Sequence, residues 1–436
     1  MAGKRQRSET KLLDCTPDEL HKYFAQRWIW NEAQQLRSRY VSFDLNALIQ
    51  IVEKATGNKT CINISKPPEG NFNKAFLATM KDGSEVVIKI PNPNAGPTHY
   101  TTASEVATKQ YASENLQLPV PRVPACCSRA AGSALGSEYI VMEKAQGIEL
   151  GQIWETLTPR DKLSIVKQIG SVTSKLSEAG FSFYGSLYRR QDISESESIN
   201  IDDKSEVDVH RGPWPNTKST INALVQRELA CVNKFRNFPR DCQQGIFNGP
   251  DGYRPTKEAK LSVLQDFLKI YQYILPKDDA LNVYKESPEL IHAFKYRETL
   301  QSELLSLIGS TFDDGEPHVQ QLLANLARDD IWKQVVEEDG HGNASVPCPL
   351  RYSEEDLNKQ NHKYAKWERD VERKAQVLDE IGVYPGWNGA VSPGDYDEVV
   401  RRLGIAKERF LERESTTPQE RLLWEEVWPF EDKKGE

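Results

Sequence analysis

Three features of the chain have the residue types and spacing to bind phosphate. Lys89 stands in the run Glu85-Val86-Val87-Ile88-Lys89-Ile90. An ammonium on an apolar strand is costly to bury unless it meets an anion or a carboxylate. Glu105 follows within a stretch that reads as helix, where a carboxylate could meet that lysine. Glu69-Gly70-Asn71-Phe72-Asn73-Lys74-Ala75-Phe76 is a small, polar, glycine-containing turn, and such a turn lets backbone N–H groups approach phosphate oxygens. Each feature has a plainer reading beside it. Lys89 could be an edge-strand lysine facing water. Glu105 sits three residues after Thr102, where a capping box wants a glutamate. The turn lacks both GxGxxG and GxxxxGK[ST], so alone it is an ordinary turn.

The elements that must position these residues are legible in outline. Asp82-Gly83 signals a hairpin before the lysine strand. A helix is expected from about Thr102 to Asn115, and a second strand over Glu138-Tyr139-Ile140-Val141-Met142. Thr158-Pro159 opens a helix whose Leu163, Val166, Ile169, Val172 and Leu176 share one face, closed by Gly180. Leu261, Leu264, Leu268, Tyr271 and Leu275 mark another helix, stopped by Pro276. A highly charged helix carrying Leu357, Tyr364, Trp367, Val371 and Leu378 ends at Gly382. Residues 186–256 are rich in Ser, Asp, Pro and Gly and read as a loop-bearing insertion.

Composition excludes several classes. The formal net charge of −8 opposes sequence-independent nucleic-acid binding, which needs a basic surface. No apolar run is long enough for a transmembrane helix. Seven scattered cysteines without a CxxC pair indicate free thiols and no structural metal. The start MAGKRQRSETK is basic, but Glu9 and Asp14 interrupt any presequence-like stretch.

The order of features says more than any one of them. A turn, a lysine strand, a glutamate helix, then a strand running into Met142-Glu143-Lys144 follows the small lobe and hinge of a protein kinase. The stretch EGNFNKAFLATMKDGSEVVIKIPNPNAGPTHYTTASEVA, followed by EYIVMEKAQGIELGQIW, is similar to fungal phosphotransferase-family proteins related to aminoglycoside phosphotransferases, in particular the altered inheritance of mitochondria protein 9 group. Arg27-Trp28-Ile29-Trp30-Asn31-Glu32 and the closing Trp424, Val427-Trp428-Pro429-Phe430 resemble that group too. The resemblance implies an α+β, bilobal kinase-like fold with a small β-rich lobe and a larger helical lobe. Residues 1–60 would form a helical arm, 61–145 the small lobe and hinge, and 146–436 the helical lobe with its insertion and a C-terminal helical extension. It further implies an ATP site made by Lys89, Glu105, Gly70, Asn71 and Asn73, with the backbone of Glu143 and Lys144 at the adenine edge. The acceptor would be an unidentified small molecule or protein, and the location mitochondrial or, on the weak presequence, cytoplasmic.

The catalytic half of that pattern is missing from the sequence. The group calls for an HxDLHxxN loop and a second, metal-binding aspartate. None of His21, His99, His210, His292, His318, His341 and His362 precedes an aspartate by two residues, and no Asp-Trp pair or DFG occurs. Tyr273-Ile274-Leu275-Pro276-Lys277-Asp278-Asp279-Ala280-Leu281-Asn282 passes straight to Val283-Tyr284-Lys285-Glu286-Ser287-Pro288, which resembles later sequence of the group. The expectation is therefore a segment lost near Asn282–Val283, and with it the catalytic strands, the aspartate and the Mg²⁺ ligands. Asp278, Asp279, His292, Asp313 and Asp314 are the nearest groups that could substitute, and they read more simply as ordinary surface residues. On this basis the chain would bind nucleotide without efficient transfer. The alternative is a non-enzymatic mitochondrial maintenance or scaffold protein that uses the aromatic arm and the charged C-terminal helix.

Overall fold

The computed structural model describes residues 17–193, 207, 212–240, 242–275 and 296–432. The chain divides into two compact units, one of Met1–Gly180 with Ser186–Lys204, the other of Phe181–Gly185 with Ser205–Glu436.

The first unit is built on a five-stranded antiparallel sheet of β1 (Cys61–Ser65), β2 (Asn73–Met80), β3 (Glu85–Pro91), β4 (Ala125–Cys127) and β5 (Tyr139–Glu143), in the spatial order β1-β2-β3-β5-β4. β3 is thus the central strand, which rules out an edge position for Lys89. The β2–β3 hairpin turns at Asp82-Gly83. Gly83 takes φ +84°, and the Asp82 carboxylate accepts from both the backbone and the hydroxyl of Ser84. Burial alternates strictly along β2 and β3, so the sheet has two unlike faces. Phe76, Ala78, Met80, Val86, Ile88, Ile90 and Val141 pack with Leu48 and Val52 of helix α3 (Leu45–Ala55) and with Leu20 and Phe43 of the N-terminal arm. The short helices α1 (Pro17–His21) and α2 (Glu32–Arg37) belong to that arm. The opposite face, with Ala75, Leu77, Val87, Lys89 and Met142, is only half-buried. Helix α4 (Tyr100–Glu114) crosses between β3 and β4. Helices α5 (Leu150–Ile153) and α6 (Pro159–Ser177) complete the unit.

The second unit is helical. It contains α7 (Thr217–Lys234), α8 (Lys257–Ile274), α9 (Leu300–Leu307), α10 (Glu316–Leu326), α11 (Asp329–Val336), α12 (Glu354–Ile381), α13 (Tyr396–Glu414) and α14 (Pro418–Glu426). Its main core joins Val225 and Val232 of α7 to Val263, Leu264, Phe267 and Ile270 of α8, Leu304 of α9, Leu322 and Leu323 of α10, and Trp332 of α11. The region read as a loop-bearing insertion therefore contributes a core helix. The four-residue spacing of Ile221, Val225 and Leu229 is masked in the sequence by polar neighbours.

Helix α8 forms where expected and buries Leu264 of the expected stripe, but its buried face is completed by Val263, Phe267, Ile270 and Ile274, while Leu261, Leu268 and Tyr271 are only partly covered. Both faces are apolar, and the one chosen also holds Lys260, which meets Glu316 Oε2 at 2.8 Å. Helix α12 ends as expected at Gly382, left-handed at φ +79°. It opens on a reciprocal Ser353/Asp356 capping box. Asp278, Asp279, His292 and the junction at Asn282–Val283 lie outside the described residues.

Candidate functional site

Lys89 and Glu105 meet. The Lys89 ammonium donates to Glu105 Oε2, the two side chains being 21% and 26% exposed. Lys109, one turn along α4, flanks Glu105 at 3.8 Å. On the sheet, Lys89 lies opposite Ala75 on one side and Ile140 on the other. The next pair along, Leu77 and Val87 with Met142, continues the same half-open face. The ammonium therefore sits at the border of an apolar surface and a charged one.

Helix α4 begins two residues before the expected Thr102, and this decides between the two readings of Glu105. Thr102 lies inside the helix and donates its hydroxyl to Glu138 Oε2 at 2.6 Å. Glu138 Oε1 accepts the backbone N–H of His99, the residue that leads into the helix, also at 2.6 Å. A buried carboxylate from the residue just before β5 thus does the capping, and Glu105 is left for Lys89. His99 holds φ +66°, a region sparsely populated by residues with a Cβ. Its ring fixes that geometry through Ser128 Oγ and the Asp192 carbonyl, both at 2.8 Å.

The 69–73 turn is anchored at its root and open at its tip. Glu69 is buried and accepts from Lys66 at 3.0 Å, Lys74 at 3.4 Å and the Phe24 backbone at 3.2 Å. Lys74 is fully buried. Desolvation pushes its ammonium down to about 8, against the pull of Glu69. At the tip, Gly70, Asn71 and Phe72 are exposed. Asn71 is tied to the arm, its Oδ1 accepting from Tyr23 at 3.1 Å, and to the turn after β3, its carbonyl accepting from Asn94 at 3.3 Å. Asn73 opens β2 opposite Pro91. A Cβ on Gly70 would meet nothing within 4 Å, and the residue is not at positive φ. The fold itself therefore does not require glycine there.

At the far end of β5 the side chains are engaged elsewhere. Glu143 holds Arg122, its backbone N–H donates to the Arg122 carbonyl at 2.9 Å, and Arg122 keeps its carboxyl below the usual range. Lys144 reaches Glu85 at 2.6 Å. The structure thus brings Lys89 and Glu105 together, sets Gly70, Asn71 and Asn73 on one turn, and gives Glu143 and Lys144 partners of their own. Sequence reasoning missed Glu138 and the buried role of Lys74. The second was readable, because Lys74 shares its period-2 face with Phe76, Ala78 and Met80. Among the described residues, no group of three or more His, Cys, Asp or Glu is placed to hold a metal ion. No described helix is long and apolar enough to cross a membrane.

No protein-family model matches the chain. Two subtelomeric hrmA-associated cluster proteins, from two strains of Aspergillus fumigatus, are 43% identical over 141 residues, covering 32% of this chain and 28% of each of them. A Debaryomyces hansenii protein named altered inheritance of mitochondria protein 9, mitochondrial, is 29% identical over 148 residues, 32% of this chain and 23% of that protein. Its Candida albicans namesake is 23% identical over 294 residues, 57% of this chain and 45% of that protein. The match spans less than half the length of each of these relatives. The chain is similar to fungal proteins of these two names.

Proposed function

We propose that residues 61–145, within the first unit, are the small lobe and hinge of a kinase-like, phosphotransferase-related fold, and that the chain binds ATP there without carrying out efficient phosphoryl transfer. The observation that supports this most is the Lys89–Glu105 contact on the half-open face of the central strand. A lysine held this way can reach the α- and β-phosphates. Leu77, Val87 and Met142 on the same face suit the flat apolar ring of adenine. The exposed tip of the turn, Gly70 to Phe72, would supply N–H groups to the phosphates, and Glu143 and Lys144 mark the strand end where the adenine edge would lie. Transfer needs a base-like aspartate at the acceptor and metal ligands that neutralise charge on the phosphates. The sequence holds neither an HxD loop nor a DFG or Asp-Trp pair. The names of the relatives support a mitochondrial location for this chain as well.

The test is an ATP-dependent thermal shift. Wild type should be stabilised, and Lys89→Ala should lose about 1.5–3 kcal/mol of binding, roughly 10- to 150-fold in affinity. A shift that persists in Lys89→Ala refutes the binding site. Phosphorylation of any small alcohol by the purified chain refutes the loss of transfer.

A further inference from the structure

A kinase-like site is expected to carry a magnesium ion beside the triphosphate, held by carboxylates. Residues 61–145 do not fit that ion. Glu105 has both oxygens facing ammoniums, Oε2 that of Lys89 and Oε1 that of Lys109 at 3.8 Å. Glu85 stands on the same face of β3 as Lys89, and it is tied to Lys144 at 2.6 Å. The other carboxylates of this stretch, Glu69, Asp82, Glu114, Glu138 and Glu143, each have partners of their own. What stands beside Lys89 is instead an excess of ammonium. Lys109 follows Glu105 by one helical turn, so the two share a face of α4. Two ammoniums thus share one carboxylate on the half-open face. A divalent cation brought against them is repelled, whereas a polyphosphate is attracted. The long contact to Glu105 holds Lys109 only weakly, so its ammonium can turn to a phosphate at little cost.

We propose that this site takes its nucleotide free of metal, with the Lys109 ammonium supplying charge that magnesium would otherwise bring. The inference rests on the nucleotide reading above and adds the ionic form of the ligand. Free ATP carries about two more negative charges than its magnesium complex. Lys89 and Lys109 together are the feature that recognises them, and Glu105 holds the two lysines on one face.

The experiment is calorimetric titration of the full chain with ATP, once in excess EDTA and once in excess Mg²⁺. ATP should bind in EDTA, and excess Mg²⁺ should weaken the apparent affinity about fivefold or more. Lys109→Met should weaken binding in EDTA about tenfold. It should leave the melting temperature of the nucleotide-free protein unchanged, because a partly exposed ion pair at this distance adds little stability. Lys109→Arg should restore most of the binding, which separates the charge from the packing of the stem. ATP that binds as tightly or more tightly in Mg²⁺ overturns the inference and leaves the nucleotide reading standing. Wild-type affinity in Lys109→Met overturns it too, as does a loss that Lys109→Arg fails to restore. Absence of binding in both buffers refutes the nucleotide reading, and this inference falls with it.

Discussion

Lys74→Met should leave the protein as stable as wild type, or more so, at pH 7, and this advantage should shrink in alkali. Lys74 is fully buried, and its ammonium is pushed from 10.5 to about 8 chiefly by desolvation. That difference corresponds to about 3 kcal/mol against the charged form in the folded state. Below pH 8 the lysine is protonated in both states and the cost is fully present. Between about 8 and 10.5 the folded state has released its proton and the unfolded state has not, so wild-type stability rises with pH. Methionine fills the space of the stem without the charge. It orphans neither acceptor, because Lys66 also donates to the Lys22 carbonyl at 2.6 Å and to Glu69 at 3.0 Å. The stability gap between variant and wild type should therefore move by about 2 kcal/mol in favour of wild type from pH 7 to pH 9.5. Urea unfolding of both proteins at the two pH values, followed by tryptophan fluorescence, measures it. A variant that is several kcal/mol less stable at pH 7, or a gap that does not change with pH, would refute the reasoning.

Lys260→Met in the second unit should behave in the opposite way. Lys260 is fully buried and reaches Glu316 and the Thr311 carbonyl, each at 2.8 Å. Among the described residues Glu316 has no second cation, and its other partner is the Tyr253 hydroxyl. Stranding that carboxylate should cost about 3–5 kcal/mol, read as a large fall in melting temperature. Glu138→Gln should weaken the start of α4, costing about 1–3 kcal/mol from two charge-assisted bonds; thermal melting should report it, and the ATP-dependent shift should shrink with it. Gly70→Ala should leave melting unchanged, since a Cβ there meets nothing within 4 Å, while weakening ATP binding severalfold. Unaltered ATP binding in that variant would remove the turn from the site.

The β-rich part of the fold was the more legible. Alternating burial on β2 and β3 and the Asp82-Gly83 turn rest on local rules, so the hairpin follows from sequence directly. Whether Lys89 lay on an edge or at the centre depended on the pairing of β3 with β5, a long-range fact that no local pattern carries. The role of Glu105 was ambiguous for the same reason, because the cap that displaced it comes from Glu138, far along the chain. In the helical unit, the stripe on α12 and its Gly382 stop were readable, whereas the buried face of α8 was readable only in part, since a lysine lies in it and its partner is on α10. The apolar face of α6 was seen correctly as a face, but nothing in its periodicity says that its own unit leaves it uncovered.

The cap at Glu138 bears on how α4 can move. Lys89 hangs from β3, and Glu138 leads directly into β5, the strand paired beside it. Glu138 grips both the entry residue and the first turn of α4. To swing Glu105 away from Lys89, the helix would have to break a buried carboxylate's bonds and release His99 from Ser128 and Asp192 as well. The ion pair is therefore a fixture rather than a toggle, and any control over this unit has to act through what reaches the open face, not through the swing of its helix.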